Sequence, residues 1–393
     1  MAARRAVHAL APLCGALQSA AMHIGLNAHL LASAQSFRRT GIHHYIYNLL
    51  AHLPLADPTL RATVFVGEGE LPPLPYAVRR SRLKTSHPLW RIVWEQVVQP
   101  FQLNGLDLLH ALAFVAPLLT RHPFVVTVYD LSFMRHPERL PAARRLYLRA
   151  LTGISCRRAR RVIAISRSTA DDLSRLLRVP PERIDLAIPG VLPHFRKLPS
   201  TEVEAFRAAK GLPRRFFFYL GTLEPRKNLP VLLRAYAALP ESDRRAVHLV
   251  LGGGLGWMTE RLPQLIERLG IAQTVHQVGY LPDSELVYWY NCAEAFVYPS
   301  IFEGWGLPVV EAMACGTPPL VSNVSALPEA AGDVGAQLPP QDETAWCAAL
   351  ARAIHDSAWR AEQSERAQAR ARHFTWLNTA QATLETYRRA LEN

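Results

Sequence analysis

The chain has 393 residues, enough for two or three domains, and 49% of them are hydrophobic, which excludes a disordered or collagen-like protein. Lys84, Lys197, Lys210 and Lys227 are the only lysines among 44 basic residues, and the net charge of +12 favours anionic partners: nucleic acid, an acidic membrane surface or phosphorylated substrates. Cys14, Cys156, Cys292, Cys315 and Cys347 are irregularly spaced and form no CxxC, so neither a disulfide framework nor a structural zinc site is indicated and a reducing cytoplasm is expected.

Residues 1–21 carry Arg4 and Arg5 ahead of an alanine- and leucine-rich stretch. That composition also fits a secretory signal. The preferred reading is a dispensable extension with Met22 as the true start, because His23-Ile24-Gly25-Leu26-Asn27 reads as a first buried strand. No apolar run reaches the roughly 18 residues that span a bilayer.

Buried strands are expected at 23–27, 62–66, 107–110, 124–128 and 161–165, then at 216–220, 247–251, 275–278, 295–298 and 319–321. Segments with helical patterns separate them, which predicts βαβ units and parallel sheets. Two such sets make an α/β protein of two Rossmann-like, doubly wound domains. The first is placed at 22–195 and the second at 214–372. Pro193, Pro199 and Pro213, around a polar helix at 201–210, mark the join, with 196–213 as linker. Residues 373–393 form a closing helical segment.

Two loops carry the chemistry. The first is Gly221-Thr222-Leu223-Glu224-Pro225-Arg226-Lys227-Asn228, directly after a strand. A glycine turn followed by a guanidinium fork and an ammonium at a strand's carboxyl end is suited to gripping a diphosphate. Two cations at a helix start oppose the helix dipole, a conflict that an anionic ligand removes. The second is Phe302-Glu303-Gly304-Trp305-Gly306-Leu307-Pro308-Val309-Val310-Glu311. Its glycines let backbone approach a ligand, and Pro308 opens a helix whose N-terminus favours negative charge. Glu303 and Glu311, eight residues apart, are carboxylates able to accept bonds from a hydroxyl-rich ligand. Taken alone, Glu303 also reads as a helix cap and Glu311 as a solvated helix residue.

Together these loops resemble the retaining nucleotide-sugar glycosyltransferases of the GT-B fold, the large Glu-x7-Glu family that includes bacterial mannosyl- and glucosyltransferases of polysaccharide assembly. The resemblance covers about 22–390 and takes in Thr40-Gly41-Ile42 with Tyr45, Asp130-Leu131-Ser132-Phe133, Ile165-Ser166, Pro189-Gly190-Val191, Ser325-Ala326-Leu327-Pro328-Glu329 and Phe374-Thr375-Trp376. It implies two domains facing across a cleft, the N-terminal one for the acceptor and the C-terminal one for the donor. The last helix would cross back onto the N-terminal domain. Arg226 and Lys227, with Gly221 and Thr222, would hold the donor diphosphate. Glu303 with Gly304, Trp305, Gly306 and Leu307 would hold the sugar, Glu311 the ribose, and Gly41 the closing loop opposite.

Relatives place a histidine immediately before the Asp130 position, and this chain has Tyr129. A phenol, with its ordinary pKa of about 10, is a poor general base. Tyr129 is therefore expected to position substrate through its hydroxyl or backbone, or to leave the base role to the donor phosphate. His110 is a substitute candidate, and equally a core histidine. No Asp-x-Asp occurs, so a metal-independent enzyme without a cofactor is expected. The implied donor is a GDP- or UDP-linked sugar, GDP-mannose foremost, and the acceptor a glycan or lipid-linked oligosaccharide.

The arginines of 139–161 and the run Arg79-Arg80-Ser81-Arg82-Leu83-Lys84 near Trp90 and Trp94 fit peripheral attachment to an anionic membrane on the cytoplasmic side, or else solvated helix faces. No module for nucleic acid accompanies this charge. A dinucleotide-dependent oxidoreductase is a rival through Gly252-Gly253-Gly254-Leu255-Gly256, which lacks the full phosphate-loop spacing. A second rival is a nucleotide-sugar-binding scaffold that has lost turnover.

Overall fold

The computed structural model describes residues 22–31, 41–85, 87–136, 142–254 and 261–392. Residues 1–21, Thr40, Arg139 and Leu255-Gly256, singled out above, lie outside the described residues. Two all-parallel sheets organise the rest. The first contains β1 (His23–Asn27), β2 (Arg61–Val66), β3 (Ala77–Arg80), β4 (Leu108–Ala111), β5 (Phe124–Val128), β6 (Arg161–Ala164) and β7 (Ile184–Leu186), in the order β3-β2-β1-β4-β5-β6-β7. The second contains β8 (Phe216–Leu220), β9 (His248–Gly252), β10 (Val275–Gly279), β11 (Ala295–Tyr298), β12 (Pro319–Ser322) and β13 (Ala336–Leu338), in the order β10-β9-β8-β11-β12-β13.

Helices cover both faces of such sheets, so their central strands read as unbroken apolar runs. Phe216, Phe217, Phe218 and Tyr219 of β8 are all fully buried. The strand order reverses beside β1 in one sheet and beside β8 in the other, and ligands bind in the crevice at the carboxyl ends of strands at such points. Both chemically marked loops belong to the second crevice, one after β8 and one after β11.

Three strands escape the sequence reading: β3, β7 and β13. All three are edge strands of three or four residues, and every residue of β3 is exposed. With one flank open and little surface to bury, they carry no apolar run to betray them.

The chain crosses between the sheets twice, side by side. Val191 donates its N–H to the Phe374 carbonyl at 3.0 Å and bridges to Thr375 in parallel. After that crossing the helix Trp376–Glu392 lies on the first sheet. There the Tyr387 hydroxyl meets His110 Nδ1 at 2.7 Å, and Arg160 donates to the Ala390 carbonyl. None of the helices among the described residues is long and apolar enough to cross a membrane.

Gly190 makes the paired crossing sterically possible, since a Cβ there would lie 2.1 Å from the Trp376 backbone nitrogen. Gly190→Ala is expected to push the two crossings apart, lowering stability by about 2 kcal/mol, within the range of overpacking. Thermal denaturation measures the loss, and faster proteolytic release of the last helix locates it.

Candidate active site

The site is built on an ion cluster at the carboxyl end of β8. After Leu220 the chain runs alongside the loop that follows β9: Gly221 donates to the Gly252 carbonyl and Leu223 to that of Gly254. Gly253, at φ +128°, leaves only 2.1 Å between a would-be Cβ and the Gly221 carbonyl, so a side chain there is excluded. The glycine run that suggested a dinucleotide loop thus backs the cationic loop.

Pro225–Lys227 then form a single tight turn, closed by Asn228 in the left-handed region at φ +56°. This turn aims both cations at Glu303. Arg226 Nη1 donates to Glu303 Oε2 and to the Phe302 carbonyl, at 2.7 and 2.8 Å, and its other edge holds Glu224 Oε1. Lys227 Nζ reaches Glu303 Oε1 at 2.7 Å and the Tyr298 hydroxyl at 2.6 Å. Burial pushes the Glu303 carboxyl up, but Arg226 and Lys227 overcome it and hold its pKa at about 2. Burial likewise opposes the charge on Arg226, and Glu303 with Glu224 outweighs it, so that pKa is raised. Burial lowers the Lys227 ammonium, with Glu303 resisting the fall.

Gly304 and Gly306 shape the loop after β11. A Cβ on Gly304 would sit 2.3 Å from the Tyr129 carbonyl of the other domain and 3.2 Å from Asp130 Cβ. Gly306, at φ +115°, caps the helix Leu307–Ala314 and would otherwise strike Leu327. The helix N-terminus, with its positive dipole end, follows Glu303 by four residues; Pro308 has no N–H and Val309 donates back to the Gly306 carbonyl at 2.9 Å. Trp305 is buried edge-on to Phe374. Thr222 is exposed at the rim.

Glu311, on the next turns of that helix, is the chemical opposite of Glu303. Burial raises its pKa to about 7, Tyr290 opposes this by donating its hydroxyl to Oε2 at 2.8 Å, and Asp283 adds a smaller rise. One carboxylate is therefore firmly ionised and the other titrates near neutrality. Asp130, across the interface, accepts from the Ser132 N–H and adds negative charge near Arg226.

Two expected residues fall elsewhere. The Tyr129 hydroxyl points into the N-terminal core, donating to the Leu112 carbonyl at 2.7 Å between the Tyr45 and Phe114 rings. Only the Tyr129 backbone reaches the cleft, which corrects the expectation of a hydroxyl contact. His110 is a core histidine: completely buried, it meets Thr127 Oγ1 and the Tyr387 hydroxyl at 2.7 Å each, and burial lowers its pKa to about 3. It lies beneath the C-terminal helix and has no access to substrate. Gly41 opens the helix Gly41–Ala56 with free space around a would-be Cβ.

Sequence reading also missed supporting residues. Tyr298 and Tyr290 sit in apolar runs where a phenol reads as packing. Glu329 lies within a quoted motif, yet nothing in it foretold that its carboxylate would accept from the amides of Arg167 and Ser168 in the opposite domain.

Comparisons with known proteins supply the family. Residues 201–373 match the model of glycosyl transferases group 1, and residues 24–195 that of glycosyltransferase family 4. The chain is 31% identical over 366 residues to the O-antigen chain mannosyltransferase B of Escherichia coli, covering 89% of this chain and 96% of that one. Among solved structures, Anabaena HepE in complex with UDP and glucose superposes with a TM-score of 0.73 at 20% identity, over 93% of this chain and 99% of that one. Sucrose-phosphate synthase from Thermosynechococcus elongatus gives 0.76 at 22% identity, over 93% and 98%. The chain belongs to this glycosyltransferase family. It is a GT-B glycosyltransferase, with O-antigen mannosyltransferases among its relatives.

The two carboxylates predict opposite responses. In Glu303→Gln the buried cations lose their counter-charge, so the melting temperature should fall at neutral pH, by the equivalent of about 3 kcal/mol. That cost vanishes as pH drops from 4.5 towards 2, where wild-type Glu303 itself is protonated. In Glu311→Gln the fold should gain stability, because ionising a carboxyl whose folded pKa is raised costs stability as pH climbs from 4.5 to 7. Melting curves of both variants across pH check the signs.

Proposed function

We propose that the protein is a retaining, metal-independent mannosyltransferase that moves mannose from GDP-mannose to a glycan or lipid-linked oligosaccharide acceptor in polysaccharide or O-antigen assembly. The observation that carries this reading is the convergence of Arg226 and Lys227 on one buried anion, Glu303, four residues ahead of a helix N-terminus. Such a place suits a donor diphosphate. As the sugar–phosphate bond breaks, negative charge grows on the leaving oxygen, and prepositioned cations in a site shielded from water stabilise it most. Glu303, released from the cations by the diphosphate, is placed to accept from sugar hydroxyls, and Glu311 from the ribose. No side chain is assigned as nucleophile, and attack of the acceptor on the same face as the departing diphosphate accounts for retention. The donor phosphate then takes the acceptor proton, a role that the inward-turned Tyr129 and His110 leave open. Similarity to the E. coli O-antigen enzyme supports mannose, while UDP in the HepE structure keeps uridine donors in the comparison. The enzyme works in the cytoplasm, on the inner face of the membrane.

Thermal shift with GDP-mannose, UDP-glucose and ADP-glucose, with and without EDTA, is expected to show stabilisation by GDP-mannose that EDTA leaves unchanged. Lys227→Ala should reduce turnover about 100-fold or more, in line with the removal of one donor to a developing oxyanion. Stabilisation by another nucleotide alone, or loss of the shift with EDTA, refutes the donor or the metal independence.

A further inference from the structure

The segment Pro88–Gln102 is one continuous helical stretch, α-helical over Pro88–Val93, π over Trp94–Val98 and 3₁₀ over Gln99–Gln102. Its inner side is anchored: Trp94 packs on His29, with ring centroids 3.8 Å apart, and Glu95 and Gln99 are buried. Its outer side is apolar and bare. Phe101 is 81% exposed, Leu89 66%, Val97 53%, Trp90 51% and Val93 40%. These exposed side chains, with Trp94, Glu95 and Gln99 turned inward, define the outer side of the stretch. Exposed Leu119 lies alongside, since the neighbouring Leu118 donates to Gln96, which in turn donates to the Ala116 carbonyl.

Charge on this surface is mainly positive, with exposed Glu68 and Glu70 beside Arg80, which donates to the Gly67 and Gly69 carbonyls. Between residues 71 and 106 the cations are Arg79, Arg80, Arg82, Lys84 and Arg91, and the only acid is the buried Glu95. Arg82, Leu83, Lys84, His87 and Trp90 line an open cavity of about 320 Å³ at one end of the apolar stripe. An apolar ridge bordered by cations, with an indole at the boundary, is suited to the interface of an anionic bilayer. A soluble protein partner or a second copy would have to meet the basic border with acidic groups of its own. Nothing acidic is exposed on this segment to make the face self-complementary.

We propose that the outer face of 88–102 is a membrane-docking surface. Leu89, Trp90, Val93, Val97 and Phe101 enter the headgroup–acyl boundary, and Arg82 and Lys84 engage lipid phosphates. The site's location deepens the proposed function, on which the purpose of docking rests. The loop carrying Ala116 to Leu119 follows β4, and His29 follows β1, so the docking face borders the carboxyl ends of the N-terminal sheet, on the acceptor side of the cleft. An acceptor carried on a lipid would be delivered to the cleft without leaving the bilayer.

Flotation of the full chain with phosphatidylglycerol–phosphatidylcholine vesicles, and with phosphatidylcholine alone, tests this without any donor, so it stands or falls separately from the donor assignment. Wild type should float with the anionic vesicles and lose binding in high salt. Trp90→Ser with Phe101→Ser should weaken partitioning at least tenfold. Arg82→Gln with Lys84→Gln should abolish the preference for phosphatidylglycerol. Both variants should keep the wild-type melting temperature and nucleotide-induced shift, which excludes misfolding. Equal flotation of all forms, no flotation of wild type, or a dimer in sedimentation velocity that Trp90→Ser with Phe101→Ser dissolves would each overturn the proposal.

Discussion

Glu303, held between Arg226 and Lys227, is the interaction on which the second domain's working end depends. Three charges are taken out of water together, and each alone would cost several kcal/mol. The cluster is tolerable because the geometry is nearly complete: both carboxylate oxygens are met, Lys227 gains the Tyr298 hydroxyl, and Arg226 gains Glu224 and a backbone carbonyl. The same bonds tie the loop after β8 to the loop after β11. They hold the turn of Pro225–Lys227 against the glycine loop. Under the proposed function, an anionic donor would meet cations that already have a partner, so its binding would exchange one anion for another instead of creating a buried charge.

Around this cluster the protein divides its polar chemistry between a stiff half and an adjustable half. Glu303 is locked in its ionised form, whereas Glu311, with one phenol as partner and burial as the dominant influence, sits at the edge of protonation. A carboxyl in that state costs the fold stability whenever it ionises. Across the cleft the His136 ring meets that of Phe302. Gly304 abuts the Tyr129 carbonyl, and Glu329 caps the amides of Arg167 and Ser168. Contacts of this kind let two domains meet in register.

Much of the site was legible because its loops obey local rules. A glycine turn, a proline that starts a helix, cations after a strand and carboxylates at fixed spacing all act over a few residues, and they singled out the loops in which the structure brings Arg226, Lys227 and Glu303 together. The places of the Tyr129 hydroxyl and His110 were not legible for one reason: Tyr129 follows β5 and His110 lies within β4, where a side chain has two faces available. Position along the chain does not say which face turns to the cleft. The Tyr129 phenol turned into the N-terminal core, and the His110 imidazole turned under a helix more than 270 residues later in sequence.

The sequence by itself determined the alternation of buried strands and helices, the two parallel sheets that follow from it and the two glycine-bearing loops that hold the ion cluster, because apolar periodicity and turn chemistry are local and strong. Tertiary structure alone decided the edge strands β3, β7 and β13, the pairing of Glu303 with both cations, the opposite titration of Glu303 and Glu311, and the apolar face left bare over 88–102. Each of these depends on what lies across space from a residue: a neighbouring strand, a counter-charge, a low-polarity surrounding or the lack of a cover. Such neighbours come from distant parts of the chain, and only the packed fold brings them to their distances.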